Sequence, residues 1–140
     1  MIRFECDYAE GAAPQLLERL TRTNLEQTPG YAVDGHCQRA RDLIRAACAA
    51  PQAEVEFLVG GTQANQTVIS AALRPYQGAL CAQTGHINVH ETGAIEATGH
   101  KVLPLPSQDG KITPKQVEQF CAVHWADPTR EHIVQPGMVY

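Results

Sequence analysis

Short apolar segments alternate with helical ones along the chain, and this alternation limits the fold more than any other feature of the sequence. Strand-like runs are followed by turn residues and then by segments with helical spacing. This order predicts an α/β fold with a mostly parallel sheet and helices on both of its faces. The predicted strands are residues 55–59, 79–82, 101–105, 133–134 and 138–140. The predicted helices are residues 14–20, 40–50, 62–73, 91–98 and a last one that starts at Pro114.

Two of these helices carry further expectations. Residues 62–73 include many apolar side chains, so we expect that helix to be well buried. The last helix opens with Thr113, Pro114 and Gln116, which is the pattern of a capping box with proline at the first helical position. His124 falls on the apolar face of this helix, and we expect it to pack against the core.

Composition narrows the function classes. The chain has 140 residues, which suits one domain, and a formal net charge of −4, so no basic surface for nucleic acid is expected. No apolar run approaches the roughly 20 residues of a membrane span, and the start lacks an export signal. The five cysteines include no Cys-x-x-Cys pair, which favours thiols in a reducing compartment. A cytoplasmic location is therefore expected.

A glycine pair between a predicted strand and a predicted helix is the best candidate for a binding site. Gly60 and Gly61 let a ligand approach the backbone closely, and the helix start presents unpaired N–H groups to an anion. The Thr62 hydroxyl could either cap this helix or contact a phosphate group. The sequence matches neither the Walker A nor the dinucleotide-binding fingerprint, so a tight turn with a helix cap stays open as the alternative.

Histidines cluster after the second predicted strand. His86 follows the carboxyl end of that strand, where open α/β sheets bind their ligands. His86 and His90 have a spacing used by metal ligands, but Gly85 and the β-branched residues between them disfavour a continuous helix, so no metal is expected. His90 and His100 are interpreted as surface or structural residues.

The order of several motifs resembles the threonine aldolase and β-eliminating lyase family, whose members are fold-type-I enzymes dependent on pyridoxal 5'-phosphate. The resemblance rests on the following segments, in family order: Cys6-Asp7-Tyr8, Gly30-Tyr31-Ala32-Val33-Asp34, Val59-Gly60-Gly61-Thr62-Gln63-Ala64-Asn65-Gln66, Gly85-His86-Ile87 and Glu91-Thr92-Gly93. It spans the whole chain but covers only the amino-terminal portion of the family's large domain.

The resemblance implies roles for particular residues. Gly60, Gly61 and Thr62 would bind the cofactor phosphate, and His86 would stack on the pyridine ring and take part in proton transfer. Cys6 and Tyr31 would lie near the substrate, with Tyr31 facing a site shared between subunits of a homo-oligomer. Cys6 stands where the family has serine or asparagine, and Ala32 stands where glycine is usual. Glu91 would support the site from behind.

The family also uses a lysine that binds the cofactor covalently and an acidic partner for the pyridine nitrogen. Neither is expected here, because Lys101, Lys111 and Lys115 lie outside the family's lysine context. We therefore expect residues 1–140 to be part of a larger domain that is truncated before the lysine, and to be inactive alone. The whole protein would cleave a β-hydroxy-α-amino acid such as L-threonine to glycine and an aldehyde, or eliminate from Cβ. The alternatives are a non-catalytic remnant of this fold, or a small phosphate-binding α/β domain.

Overall fold

A parallel sheet lies at the centre of the second half of the chain. In the computed structural model, which describes residues 5–6 and 8–140, the strands are Gln77–Ala82 (β1), Val102–Leu105 (β2) and Gln135–Val139 (β3). Their order in the sheet is β2–β1–β3, and both pairings are parallel. The chain divides into two compact units, Met1–Phe57 and Leu58–Tyr140, and the sheet belongs to the second.

The first unit contains two helices, Pro14–Thr23 (α1) and Gly35–Ala47 (α2). Proline occupies the start of α1, and the Asp34 carboxylate caps α2 by accepting hydrogen bonds from two backbone amides. Residues 55–59, which the sequence predicts to be a strand, form no strand in the structure. That prediction was wrong: these residues pair with no strand in the part of the chain that the structure describes, and the Val55 carbonyl instead accepts a hydrogen bond from Arg41 Nε at 3.1 Å.

Helices cover both faces of the sheet in the second unit, as the sequence predicts. The helices are Gly61–Ala72 (α3), His86–Val89 (α4) and Pro114–Ala126 (α5). One face of the sheet packs against α3, α4 and the turn after α4, through Ile69, Leu73, Ala79, Cys81, Ile87, Ile95 and Val102. The other face packs against α5 and its flanks, through Leu80, Leu103, Leu105, Ile112, Val117, Phe120 and Val134.

Three local expectations need correction. The helix α3 was expected to be well buried but is mostly exposed, and Ile69 is its one buried residue. The segment predicted as a helix over residues 91–98 forms a turn and a short 3₁₀ helix at Glu96–Thr98, which Gly99 ends with a φ of 88°. The two predicted strands near residue 140 are a single strand, β3, whose pairing with β1 shifts register at Gly78/Ala79.

The last helix follows its prediction closely. The capping box of Thr113 and Gln116 is complete, and α5 begins at Pro114. His124 is buried, and its ring lies edge-on to Trp125 with the ring centroids 5.0 Å apart. All five cysteines are free thiols. Across residues 5–6 and 8–140, no helix combines the length and apolar character that crossing a bilayer requires.

Candidate active site

The turn after β1 places His86 at the carboxyl end of the central strand. The chain reverses tightly there, with the Gly85 amide donating to the Ala82 carbonyl at 2.7 Å. A Cβ atom on Gly85 would lie 2.9 Å from that same carbonyl oxygen, so only glycine fits this turn without a shift of the backbone. His86 is the first residue of α4, and its side chain is 64% exposed. The imidazole therefore faces open space where parallel sheets bind ligands.

The amino-terminal end of α3 is a second open feature of the same unit. Gly60 is the N-cap residue and makes no side-chain cap, so the first amides of the helix keep their free N–H groups. A Cβ on either Gly60 or Gly61 would have no atom within 4 Å. Thr62 lies inside the helix and is exposed, so its hydroxyl is not the cap. These glycines are not required by packing within the described chain, and they leave the backbone N–H groups accessible.

A buried carboxylate connects these two features. Glu91 Oε1 accepts hydrogen bonds from His86 Nδ1, at 2.8 Å, and from the side-chain amide of Asn65. Asn65 lies on α3 one turn after Gly61, so a single carboxylate joins α3 to the start of α4. The Glu91 side chain is 0% exposed, and its second oxygen, Oε2, has no hydrogen-bond partner among the described residues. A buried carboxylate oxygen without a donor costs stability, in the range of about 1–3 kcal/mol.

The backbone next to Glu91 is also unfavourable. Thr92 has a φ of 50° and Gly93 a φ of 76°, so a β-branched residue occupies the left-handed region directly after the carboxylate. Residues held in this way cost about 1–3 kcal/mol and cluster at functional sites. The buried oxygen without a donor and the left-handed backbone thus occur at two neighbouring residues, and both lower the stability of this turn.

Tyr140 extends the same network from the end of β3. Its hydroxyl donates to Asn65 Oδ1 at 2.7 Å, while its backbone amide donates to the Leu80 carbonyl at 2.8 Å. Neither Asn65 nor Tyr140 is among the site residues predicted from the sequence. Asn65 lies within the glycine-pair motif, one helical turn from Gly61, and that spacing is the signal that could have identified it. Nothing in the sequence around Tyr140 points to this contact.

The remaining candidates are distributed as follows. Cys6 is half-buried and Tyr31 is fully exposed, and both belong to the first unit. Tyr31 and Ala32 are consecutive left-handed residues, with φ of 61° and 59°. His90 is exposed, whereas His100 is buried with its ring nitrogen 3.1 Å from the Gln77 carbonyl.

The described residues near His86 provide neither a reactive thiol nor a cluster of metal ligands. Burial, followed by the charge of Glu96, raises the pKa of the Cys81 thiol, so this sulfur stays protonated and is a poor nucleophile. Within the described ranges, no three His, Cys, Asp or Glu side chains gather as a metal site would require. Lys101, Lys111 and Lys115 are all exposed.

Known proteins resemble this chain over almost its whole length. The family model described as beta-eliminating lyase matches residues 6–135. A low specificity L-threonine aldolase from a Pseudomonas species is 29% identical over 99% of this chain and 42% of its own length. A low specificity L-threonine aldolase from Pseudomonas aeruginosa is 27% identical over the same shares.

A solved structure of a threonine aldolase from Leishmania major is 45% identical and superimposes with a TM-score of 0.87. The match covers 96% of this chain and 38% of the Leishmania chain, so the present sequence spans about two fifths of the proteins that it resembles. Because the family model matches nearly the whole of this sequence, the chain belongs to the beta-eliminating lyase family.

Proposed function

We propose that this chain is part of a pyridoxal-phosphate-dependent lyase of the threonine aldolase type. The whole enzyme cleaves the Cα–Cβ bond of L-threonine or another β-hydroxy-α-amino acid, giving glycine and an aldehyde. The observation that carries the proposal is the Asn65–Glu91–His86 network, which fixes an exposed imidazole to the helix whose start has open amides. The threonine aldolase relatives support the choice of substrate class.

The residues present suit the phosphate and the ring of this cofactor. A phosphate dianion is stabilised by free amides and by the positive end of a helix dipole, which Gly61 and Thr62 provide at the start of the 12-residue α3. The space beside both glycines would be filled by larger side chains. The exposed His86 ring offers a flat surface for an aromatic ring. When bound, the cofactor supplies an electron sink for the charge that develops at Cα.

His86 has two roles in this proposal. Its ring orients the bound group by stacking, and its Nε2 atom accepts or returns a proton at the substrate side. Glu91 holds the opposite ring atom, Nδ1, at 2.8 Å. The chain's own contribution is therefore to bind the phosphate, orient the ring and move a proton.

The first unit contributes to substrate binding in the assembled enzyme. Tyr31 is fully exposed and Cys6 is half-buried, and we place both near the substrate, with Tyr31 reaching the site of a second subunit in a homo-oligomer. Residues 1–140 form part of the family's cofactor-binding domain, and the covalent lysine and the acidic partner lie elsewhere in the whole protein.

A cofactor titration tests the phosphate site. In the polypeptide made from the complete coding sequence, Thr62→Ala should weaken pyridoxal-phosphate binding about tenfold, which corresponds to ~1.4 kcal/mol, measured by the absorbance of the bound cofactor. Thr67→Ala is the matched control, because this exposed threonine lies on the same helix and its hydroxyl donates to the Gln63 carbonyl. Equal affinities in the two variants would contradict the assignment of Thr62.

Product analysis tests the reaction. The complete polypeptide with cofactor should release an aldehyde from L-threonine, whereas the 140-residue chain alone should not. Ammonia and a keto acid instead of an aldehyde would identify β-elimination. Phosphate binding without any turnover would favour a phosphate-binding domain, and turnover by the 140-residue chain alone would overturn the proposal that the lysine lies elsewhere.

A further inference from the structure

Two unfavourable features occur at Glu91 and the residue that follows it. The Glu91 Oε2 atom is buried and accepts no hydrogen bond from the described residues, and Thr92 has a left-handed backbone. Groups that are kept at a cost to stability are candidates for a functional role.

The hydrogen bonds fix the direction of every donor in the network. A carboxylate only accepts hydrogen bonds, so both the Asn65 amide nitrogen and His86 Nδ1 must donate to Glu91 Oε1. With its nitrogen towards Glu91, the Asn65 amide presents Oδ1 to the Tyr140 hydroxyl, which donates to it. The opposite amide orientation would set the Asn65 oxygen against the carboxylate, which is repulsive.

This direction determines the tautomer of His86. With the proton on Nδ1, the neutral imidazole has a free lone pair on Nε2. Among the described residues, Glu91 is the only hydrogen-bond partner of the His86 ring, and the neighbouring His90 ring lies 5.5 Å away between centroids. A free histidine side chain in water favours the other tautomer, with the proton on Nε2. The carboxylate therefore changes which ring atom can accept a proton.

We propose that Glu91, oriented by Asn65 and Tyr140, is a positioning residue that holds His86 as the Nδ1–H tautomer and presents Nε2 as the proton acceptor. Its use in catalysis rests on the function proposed above, but the tautomer itself does not. Because Asn65 lies on α3, the same carboxylate also fixes the His86 imidazole relative to the helix with the open amides.

The tautomer is measured directly by NMR. The polypeptide made from the complete coding sequence, free of cofactor, is labelled with ¹⁵N in its histidine rings, and the couplings between ring protons and ring nitrogens show which nitrogen carries the proton. His86→Gln identifies the signal. We expect Nδ1 of His86 to be protonated in the parent protein, and this one reading decides the proposal even if a variant fails to fold.

Two substitutions then separate positioning from packing. Glu91→Leu removes the acceptor and should shift His86 to the Nε2–H form, whereas Glu91→Gln keeps an accepting oxygen and should retain the Nδ1–H form. Glu96→Leu is the control, because Glu96 is exposed and follows the same turn. An Nε2–H tautomer in the parent protein, or no shift in a folded Glu91→Leu variant, would overturn the proposal.

The outcome is independent of the cofactor and of turnover. An Nδ1–H tautomer in a protein that releases no aldehyde would support this inference and contradict the proposed function. An Nε2–H tautomer in an active aldolase would contradict this inference alone.

Discussion

The two units of this chain are stabilised by different kinds of interaction. In the second unit, ten apolar side chains are buried in two clusters on opposite faces of the sheet. In the first, none of the described residues is buried, and Leu16, Leu17 and Leu20 of α1 are 58%, 53% and 62% exposed.

Polar contacts to the backbone connect the described segments of the first unit. Arg41 donates to the carbonyls of Ala32 and Val55, and its guanidinium lies 5.2 Å from the centre of the Phe57 ring. Arg45 donates to the Ala53 carbonyl at 2.8 Å. Within these 140 residues, apolar burial therefore dominates the contacts of the second unit, whereas hydrogen bonds to the backbone are prominent in the first.

The largest expected effect contrasts one leucine from each unit. Leu80→Ala should lower the free energy of unfolding by about 2–5 kcal/mol, because Leu80 is 1% exposed and its loss leaves a cavity. Leu17→Ala should change it by less than about 0.5 kcal/mol. Hydrogen exchange of the β1 and α1 amides in urea measures both. A cost for Leu17→Ala as large as that for Leu80→Ala would show that the first unit has a core of its own.

A smaller effect is expected from backbone conformation in the first unit. Ala32→Gly should stabilise that unit by up to about 1 kcal/mol, because Ala32 has a φ of 59° and glycine adopts this region without a Cβ clash. Ala40→Gly is the matched control and should destabilise by about 1 kcal/mol, since Ala40 lies within α2. Urea denaturation followed by the α2 amides gives both values, and equal signs would contradict the interpretation.

The smallest effect is a dependence on pH at the cap of α2. Hydrogen bonds from the Cys37 thiol and amide, and from the His36 amide, lower the pKa of Asp34 from 3.8 to about 2. A lowered pKa in the folded state means that the cap stabilises α2 above pH 3.8 and loses this effect as the pH falls towards 2.

An amide titration measures this effect. The chemical shift of the Cys37 amide should titrate with a midpoint near 2, and Asp34→Asn should abolish the titration while keeping the cap. A midpoint at the ordinary value of 3.8 would contradict a role for these hydrogen bonds.

The elements that the sequence predicted correctly are those with strong local signals. The capping box at Thr113 located α5 to the residue, and the apolar run at residues 79–82 located β1. The residues 55–59 have the same kind of pattern as β1 but no partner strand, and strand formation depends on a partner that local sequence does not contain. The exposure of α3 has a similar cause, since burial depends on what packs against a helix rather than on its composition.

The candidate site was predictable only in part for the same reason. The glycine pair and His86 stand next to turns and element ends, so their positions follow from local pattern. The contact between Asn65 and Glu91 joins residues 26 positions apart, and that between Tyr140 and Asn65 joins residues 75 positions apart. Such contacts depend on how distant segments pack together, and the sequence of any one segment does not determine that packing.

The position of β1 in the sheet has a consequence for synthesis on the ribosome. Both neighbours of this central strand come later in the sequence, and the second of them is complete only at Val139. While the chain emerges, β1 therefore has at least one open edge, and an unpaired apolar edge invites pairing with other chains. The helices of the first unit use local contacts and can form much earlier. Between the release of β1 and the release of β3, the nascent chain therefore presents an open edge of β1 to other chains.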